Sequence, residues 1–325
     1  MGKKIVYVFV GVPGSEFEYM AYLSMLSLSM SNPDIKKVLL LDMVSAALLK
    51  QSDSLLIHFA DQLIEVDVPY DNNKMKSRYL KTLSGTFVDS PFILIDVDTL
   101  VLDDISEVYR IGGKKIMMAV NHSSDKVVGQ INVEEKNILN KEGYGEVSRY
   151  YNSGVIYYGD SCKSERISVD WNKAWLKIGD KYGYYSDQPA LHMALQSYAE
   201  EIECLDKKWN AQILMNPSLI KDAKIIHYYS DGFGGEKKNI TRYHDYLKSL
   251  DGIAEISKGD VLKLLEKNNI WNGKPWVINT LVGRLEKCNY PPYFLYYLLA
   301  NDLVGFGSAL VKYPINQLRK WFYWL

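Results

Sequence analysis

The sequence predicts an α/β fold: a mixed, mostly parallel sheet flanked by helices. Three observations carry this. Apolar runs of strand length alternate with helix-period segments through the N-terminal third, the order that gives a parallel sheet. Turn-forming residues separate the segments. One run, Phe92 to Ile95, ends in Asp96-Val97-Asp98, and open α/β sheets bind ligands beyond the carboxyl ends of their strands.

Residues 3–12 are apolar and read as a buried first strand, because the run is too short for the core of a signal peptide. Ser15 and Glu18 have capping-box spacing, so a helix is expected over 18–30. Asn32-Pro33 ends it. Residues 36–42 give a second strand, and 61–69 a third, reached through a short helix. A helix over 74–85 stops near Gly85, and 91–96 is the next strand. Beyond Asp104 the rhythm changes. The strands at 114–120 and 153–159 lack long crossover helices before them and are expected as antiparallel edges. Helices follow at 164–179 and 186–198, then a last strand at 223–229. From Ser257 onward the patterns are helical only, including 257–269 and 279–287. The expected organisation is one large domain over 1–256 and a helical extension over 257–325.

With 325 residues the chain is long enough for this. Its formal net charge of −1 gives no global field for nucleic acid. Cys162, Cys204 and Cys288 match no zinc or disulfide framework, so a reducing, cytoplasmic compartment is expected.

In extended geometry residues i and i+2 share a face, so Asp96 and Asp98 can converge while Val97 turns to the core. Two carboxylates that close repel unless a cation sits between them, and a hard divalent ion resolves the conflict. Two solvated aspartates at a strand-to-loop junction are the alternative. Arg78, flanked by Lys76 and Lys81, suits bidentate phosphate or carboxylate contacts; a solvated helix face is the other reading. His227, taken alone, reads as a hydrogen-bonded structural histidine. Gly154 reads as a bulge or tight turn. Ser186 and Asp187 suit a helix N-terminus, with Pro189 in the first turn.

Taken in order, the arginine-bearing helix, the Asp-x-Asp strand, "YNSGVIYYG", "SDQPAL" and "IIHYY" resemble the GT-A-fold glycosyltransferases. The likeness is specifically to the family 8 group of glycogenin and bacterial lipopolysaccharide galactosyl- and glucosyltransferases, and it spans roughly residues 3–235. The resemblance implies that Asp96, Asp98 and His227 bind Mn²⁺ or Mg²⁺ with the donor diphosphate, and that Arg78 lies near the donor. It implies that Asn152, Ser153 and Gly154 form a turn shaping the sugar pocket. Asp187 and Gln188 would lie beside the transferred sugar, and Asn210 in "KKWNAQ" would be a further cleft residue. Relatives follow the histidine with Gly and Lys-Pro-Trp. Here the stretch is "HYYSDGFGGEKKN", with Lys237 or Lys238 for the phosphate role at longer spacing. The acidic residue that many members place after the first strand is missing from "FVGVPGSEFEY", which leaves the base preference open.

The resemblance thus implies a metal-dependent hexosyltransferase that uses a UDP-sugar and retains anomeric configuration. Its acceptor would be a saccharide on a lipid carrier, in lipopolysaccharide or capsule synthesis. Two other readings stand beside it: a non-catalytic sugar-nucleotide or glycan binder, and a metal-dependent phosphohydrolase or nucleotidyltransferase. Residues 290–325 mix Tyr, Phe, Leu and Trp with Lys312, Arg319 and Lys320, interrupted by Asn301, Asp302 and glycines. That composition argues against a spanning helix. It suits an interfacial segment on the inner face of the membrane, or a packed cap or dimer contact.

Overall fold

Lys4–Phe9 (β1) is the first strand of a computed structural model that describes residues 2–121, 131–212 and 223–227. The helix after it, Glu16–Ser31 (α1), starts where the capping signal places it. Ser15 accepts the Glu18 N–H, while the Glu18 carboxylate reaches back to the Gly14 N–H at 2.5 Å. Lys36–Asp42 (β2) follows. Asp42 then caps Met43–Gln51 (α2), accepting the N–H groups of Val44 and Ser45. A second short helix, Leu55–Phe59 (α3), precedes Gln62–Val66 (β3), where one helix was expected. Asn73–Thr82 (α4) and the single turn Ser84–Phe87 (α5) replace the one expected helix. Phe92–Ile95 (β4) is wholly buried.

Beyond β4 the chain forms Thr99–Val101 (β5), Glu107–Gly112 (α6), Ile116–Val120 (β6), Val133–Lys141 (α7) and Tyr151–Tyr158 (β7). The long helix Ser161–Tyr182 (α8), then Asp187–Leu195 (α9), Ile202–Leu205 (β8) and Ile225–His227 (β9) follow, with 3-10 turns at Gln196–Glu201 and Lys207–Asn210. β5, β8, α6 and α7 were not foreseen. The helical patterns from 257 onward lie outside the described residues.

The main sheet runs β3-β2-β1-β4-β7-β6-β8. β3, β2, β1 and β4 are parallel, β7 lies antiparallel to both β4 and β6, and β8 runs parallel to β6. This is the mixed, mostly parallel sheet the pattern predicts. The strands expected as antiparallel edges, β6 and β7, are antiparallel but interior, because β8 covers the outer side of β6. The last strand, β9, pairs with β5 in a separate two-stranded ladder that sets His227 opposite Thr99.

The core lies where Val6, Val38, Leu40, Leu94 and Ile156 meet Trp171 and Trp175 of α8. Each fully buried side chain of this size contributes roughly 1.5–3 kcal/mol. Gly85 brings α5 against α8, since a Cβ there would meet the Ser164 carbonyl oxygen at 2.4 Å. The packing holds rigid the rim formed by the carboxyl ends of β1 and β4, and every candidate side chain described below is anchored on or near that rim.

Candidate active site

Asp96, Val97 and Asp98 form a turn between β4 and β5 rather than the end of an extended strand. The two carboxylates converge because the chain bends there, and Val97 is half-buried instead of turning into the core. The bend is fixed on both sides. Asp96 N–H donates to the Gly154 carbonyl at 2.9 Å, and the Thr99 hydroxyl donates to the Asp96 carbonyl at 2.7 Å.

β9 brings in the histidine. His227 Nε2 lies 3.4 Å from Asp98 Oδ1 and 3.8 Å from Asp96 Oδ2. One ligand atom from each of the three residues falls within 4.8 Å of the others. Two carboxylate oxygens and an imidazole nitrogen are a donor set that Mn²⁺ accepts readily. The imidazole fits only because position 154 has no side chain: a Cβ there would meet His227 Cε1 at 2.1 Å.

The helix before β4 supplies the positive charge. Lys76 and Lys81, which flank Arg78, are buried, so a solvated helix face is ruled out for them. Lys76 pairs with Asp42 at 2.9 Å. Lys81 Nζ lies 2.7 Å from Asp96 Oδ1 and 3.1 Å from Asp187 Oδ2, and donates to Ser153 Oγ at 3.3 Å. Arg78 Nε lies 3.2 Å from Asp187 Oδ1. Burial alone would lower the Lys81 ammonium, but the Asp187 and Asp96 carboxylates outweigh it and hold the group above its ordinary value. Burial would likewise raise Asp187. Arg78, Lys81 and the Ser153 hydroxyl outweigh that and hold its carboxyl well below the usual range. Lys81 and Asp187 are therefore both ionised at neutral pH.

Asp187 opens α9, the expected helix N-terminus, and α8 fixes its backbone. Trp171 Nε1 donates to the Asp187 carbonyl at 2.8 Å, and Trp175 Nε1 to the Tyr185 carbonyl at 3.2 Å. Ser186 occupies the cap position but makes no side-chain cap bond.

Asn152, Ser153 and Gly154 lie within strand β7 and do not form the turn that the resemblance implies. The β6–β7 pairing is irregular beside them, passing from Met118 opposite Ile156 to Val120 opposite Tyr151, which agrees with the bulge reading of Gly154. The Asn152 amide joins several elements. Its Oδ1 accepts from Gly154 N–H and from Asn210 Nδ2, both at 2.8 Å. Its Nδ2 donates to Asn121 Oδ1 at 3.0 Å and to Gln188 Oε1 at 3.3 Å.

The structure thus gathers Arg78, Asp96, Asp98, Asn152, Ser153, Gly154, Asp187, Gln188, Asn210 and His227 around one rim. Lys237 and Lys238 lie outside the described residues. The sequence reading missed two contributors. Asn121 directly follows β6, and the rule that ligands collect at strand ends points to it. Lys81 gave no such signal, since the carboxylates of Asp96 and Asp187 that explain its burial meet it only in the folded chain.

Residues 15–237 match the family model for glycosyl transferase family 8. The chain belongs to this family and is a glycosyltransferase, and its mixed sheet flanked by helices is the GT-A architecture the motifs implied. Among solved structures it is similar to the glycosyltransferase GlyE of Streptococcus pneumoniae TIGR4, with 15% identity over 82% of this chain and 65% of that one and a TM-score of 0.49. The galactosyltransferase LgtC, solved with donor and acceptor sugar analogues, shares 16% identity over 79% of this chain and 99% of that one, with a TM-score of 0.47. Mouse xyloside xylosyltransferase 1 shares 15% over 71% and 98%, with a TM-score of 0.45. No curated protein matches the sequence. Among the described residues no helix is long and apolar enough to cross a membrane.

Proposed function

We propose that the chain transfers a hexose from a UDP-sugar to a saccharide acceptor, with a divalent cation and with retention of anomeric configuration. The observation that carries this reading is the convergence of Asp96, Asp98 and His227 beside Asp187 and Gln188. A cation held by Asp96, Asp98 and His227 would supply Lewis-acid stabilisation of the departing diphosphate.

The chain's own residues do the remaining work. Lys81 and Arg78 are fixed positive charges on a rigid helix, in place before any donor arrives, and preorganised charge of this kind costs no rearrangement during reaction. Arg78 is the more accessible of the two, with its side chain 30% exposed, and it is the one placed to meet a donor phosphate. Asp187 is held ionised by two cations and a hydroxyl, which makes it a weak base and a poor nucleophile. Its role is to orient Arg78 and Lys81. Gln188 borders the sugar from α9. This supports a front-face route, in which the departing phosphate accepts the proton of the acceptor hydroxyl.

The test is a screen of sugar nucleotides for Mn²⁺-dependent hydrolysis and transfer by the full chain, with the product anomer read by NMR. Transfer from a UDP-hexose, abolished in Asp98→Asn, is the expected outcome. Donor binding without turnover would replace the proposal with a non-catalytic binder, and release of phosphate or exchange of pyrophosphate would indicate a phosphohydrolase or nucleotidyltransferase. For the acceptor we propose a lipid-linked saccharide, approached with the aromatic and basic segment 290–325 at the membrane surface. Deleting the segment from Tyr290 should move the protein from membrane to soluble fraction; unchanged partitioning would count against membrane contact.

A further inference from the structure

We infer that Asn210 is a positioning residue that sets the tautomer of His227, through a chain of amides whose polarity starts at one backbone N–H. The starting point is unambiguous. Gly154 N–H can only donate, so the Asn152 atom it meets at 2.8 Å is the acceptor Oδ1. Asn210 approaches that same oxygen at 2.8 Å and must present its Nδ2. The Asn210 carbonyl oxygen is thereby turned to His227 Nδ1, at 2.9 Å. An oxygen there accepts, so Nδ1 carries the proton.

The Nε2 lone pair then faces the Asp96 and Asp98 carboxylates at 3.8 and 3.4 Å, on the side where a cation would sit. Neither amide has freedom to turn over. Asn210 and Asn152 are 0% and 2% exposed. Turning Asn152 would set N–H against the Gly154 N–H, and turning Asn210 would set its oxygen against Asn152 Oδ1. The backbone holds the pair of residues in register, since the His227 N–H donates to the Ala211 carbonyl at 3.0 Å. Outer partners of this kind fix ring orientation and tautomer of metal-binding histidines, and losing one typically costs about 10–100-fold in affinity.

The protonation pattern stands on geometry alone, whereas its consequence for metal rests on the proposed metal site, so the two fail separately. The experiment is a long-range ¹H–¹⁵N spectrum of the full chain labelled at its histidine nitrogens, recorded at pH 9 without metal, with His227→Gln to assign the signal. We expect His227 protonated at Nδ1 only, and any other pattern overturns the proposal. In Asn210→Leu the proton should move to Nε2, and Mn²⁺ affinity measured by calorimetry should fall about 10–100-fold. Asn210→Asp keeps an acceptor facing the ring while setting its second oxygen against Asn152 Oδ1, so it should keep the Nδ1–H form and lose less Mn²⁺ affinity than Asn210→Leu. Equal losses in the two variants, or an unmoved proton in Asn210→Leu, would mean that Asn210 merely fills space. Should Asn210→Leu not fold, the wild-type and Asn210→Asp spectra decide. Wild type with the expected tautomer but no Mn²⁺ uptake would leave this inference standing and remove the metal from the proposed function.

Discussion

Two side-chain networks meet at the rim, a charged wall and an amide wall, and they hold their groups by different physics. On one wall Lys81 and Asp187 are charged and buried, with Arg78 and Asp96 half-buried beside them, so the two buried charges are tolerated only because their partners are present. On the other wall Asn152, Asn210, Asn121 and Gln188 are neutral, and their bonds contribute through direction rather than strength. The charged wall places fixed charge and the amide wall sets which atom of each group faces the cleft. The first is sensitive to loss of a charge, the second to loss of an orientation.

That contrast predicts a ranking of effects. The largest belongs to Lys81→Met, which leaves the Asp187 carboxylate buried with only Arg78 and the Ser153 hydroxyl beside it. Breaking a buried pair in this way costs roughly 3–5 kcal/mol, measurable by urea unfolding, and Lys81→Arg should recover part of it. An effect as small as that of an exposed pair such as Lys50–Glu65, about 1 kcal/mol or less, would erase the distinction between the walls.

Next comes acid sensitivity through His192 on α9, which packs against Tyr150. Burial lowers its imidazole to about 4, against a backbone hydrogen bond at Tyr144 that opposes the shift. The folded state therefore refuses a proton that the unfolded chain accepts. Its contribution is complete above the unfolded value of about 6.5 and is lost as pH falls toward 4. The total loss is on the order of 3 kcal/mol. Unfolding free energies across that range should show the slope, and His192→Gln should flatten it. Glu135 works in the opposite direction. Burial raises its carboxyl despite hydrogen bonds from Tyr150 and Tyr184, so its contribution weakens as pH rises through the raised value.

The smallest of the three is Asn152→Ala, which strands the Gly154 N–H and removes one partner of the Asn210 amide. Unsatisfied buried groups cost about 1–3 kcal/mol. If the amide wall acts through direction, activity should fall by more than this stability loss explains. Proportionate losses would make the wall a packing element only.

The parallel half of the fold was legible because β1, β2 and β4 are buried on both faces and so appear as unbroken apolar runs. β5 and β8 were not: three or four residues beside acidic neighbours look like loop. The Asp96–Asp98 pair was found from correct residues and an incorrect geometry, since a turn and an extended strand end both bring i and i+2 together. His227 and Asn210 were reached through resemblance. The bond between them was not, because amide orientation depends on a partner in β7 that no local pattern encodes. Lys81 stayed hidden for the same reason: a buried lysine and a solvated one look alike until the carboxylates that neutralise it are in place.

Gly154 carries one last consequence. Its missing side chain is the space in which the His227 ring lies, so adding a single methyl would evict the imidazole while leaving Asp96, Asp98 and His227 all present. A Gly154→Ala chain would still display every ligand letter and yet have nowhere to seat one of them. The vacancy on the strand belongs to the proposed metal site as much as the groups that point into it.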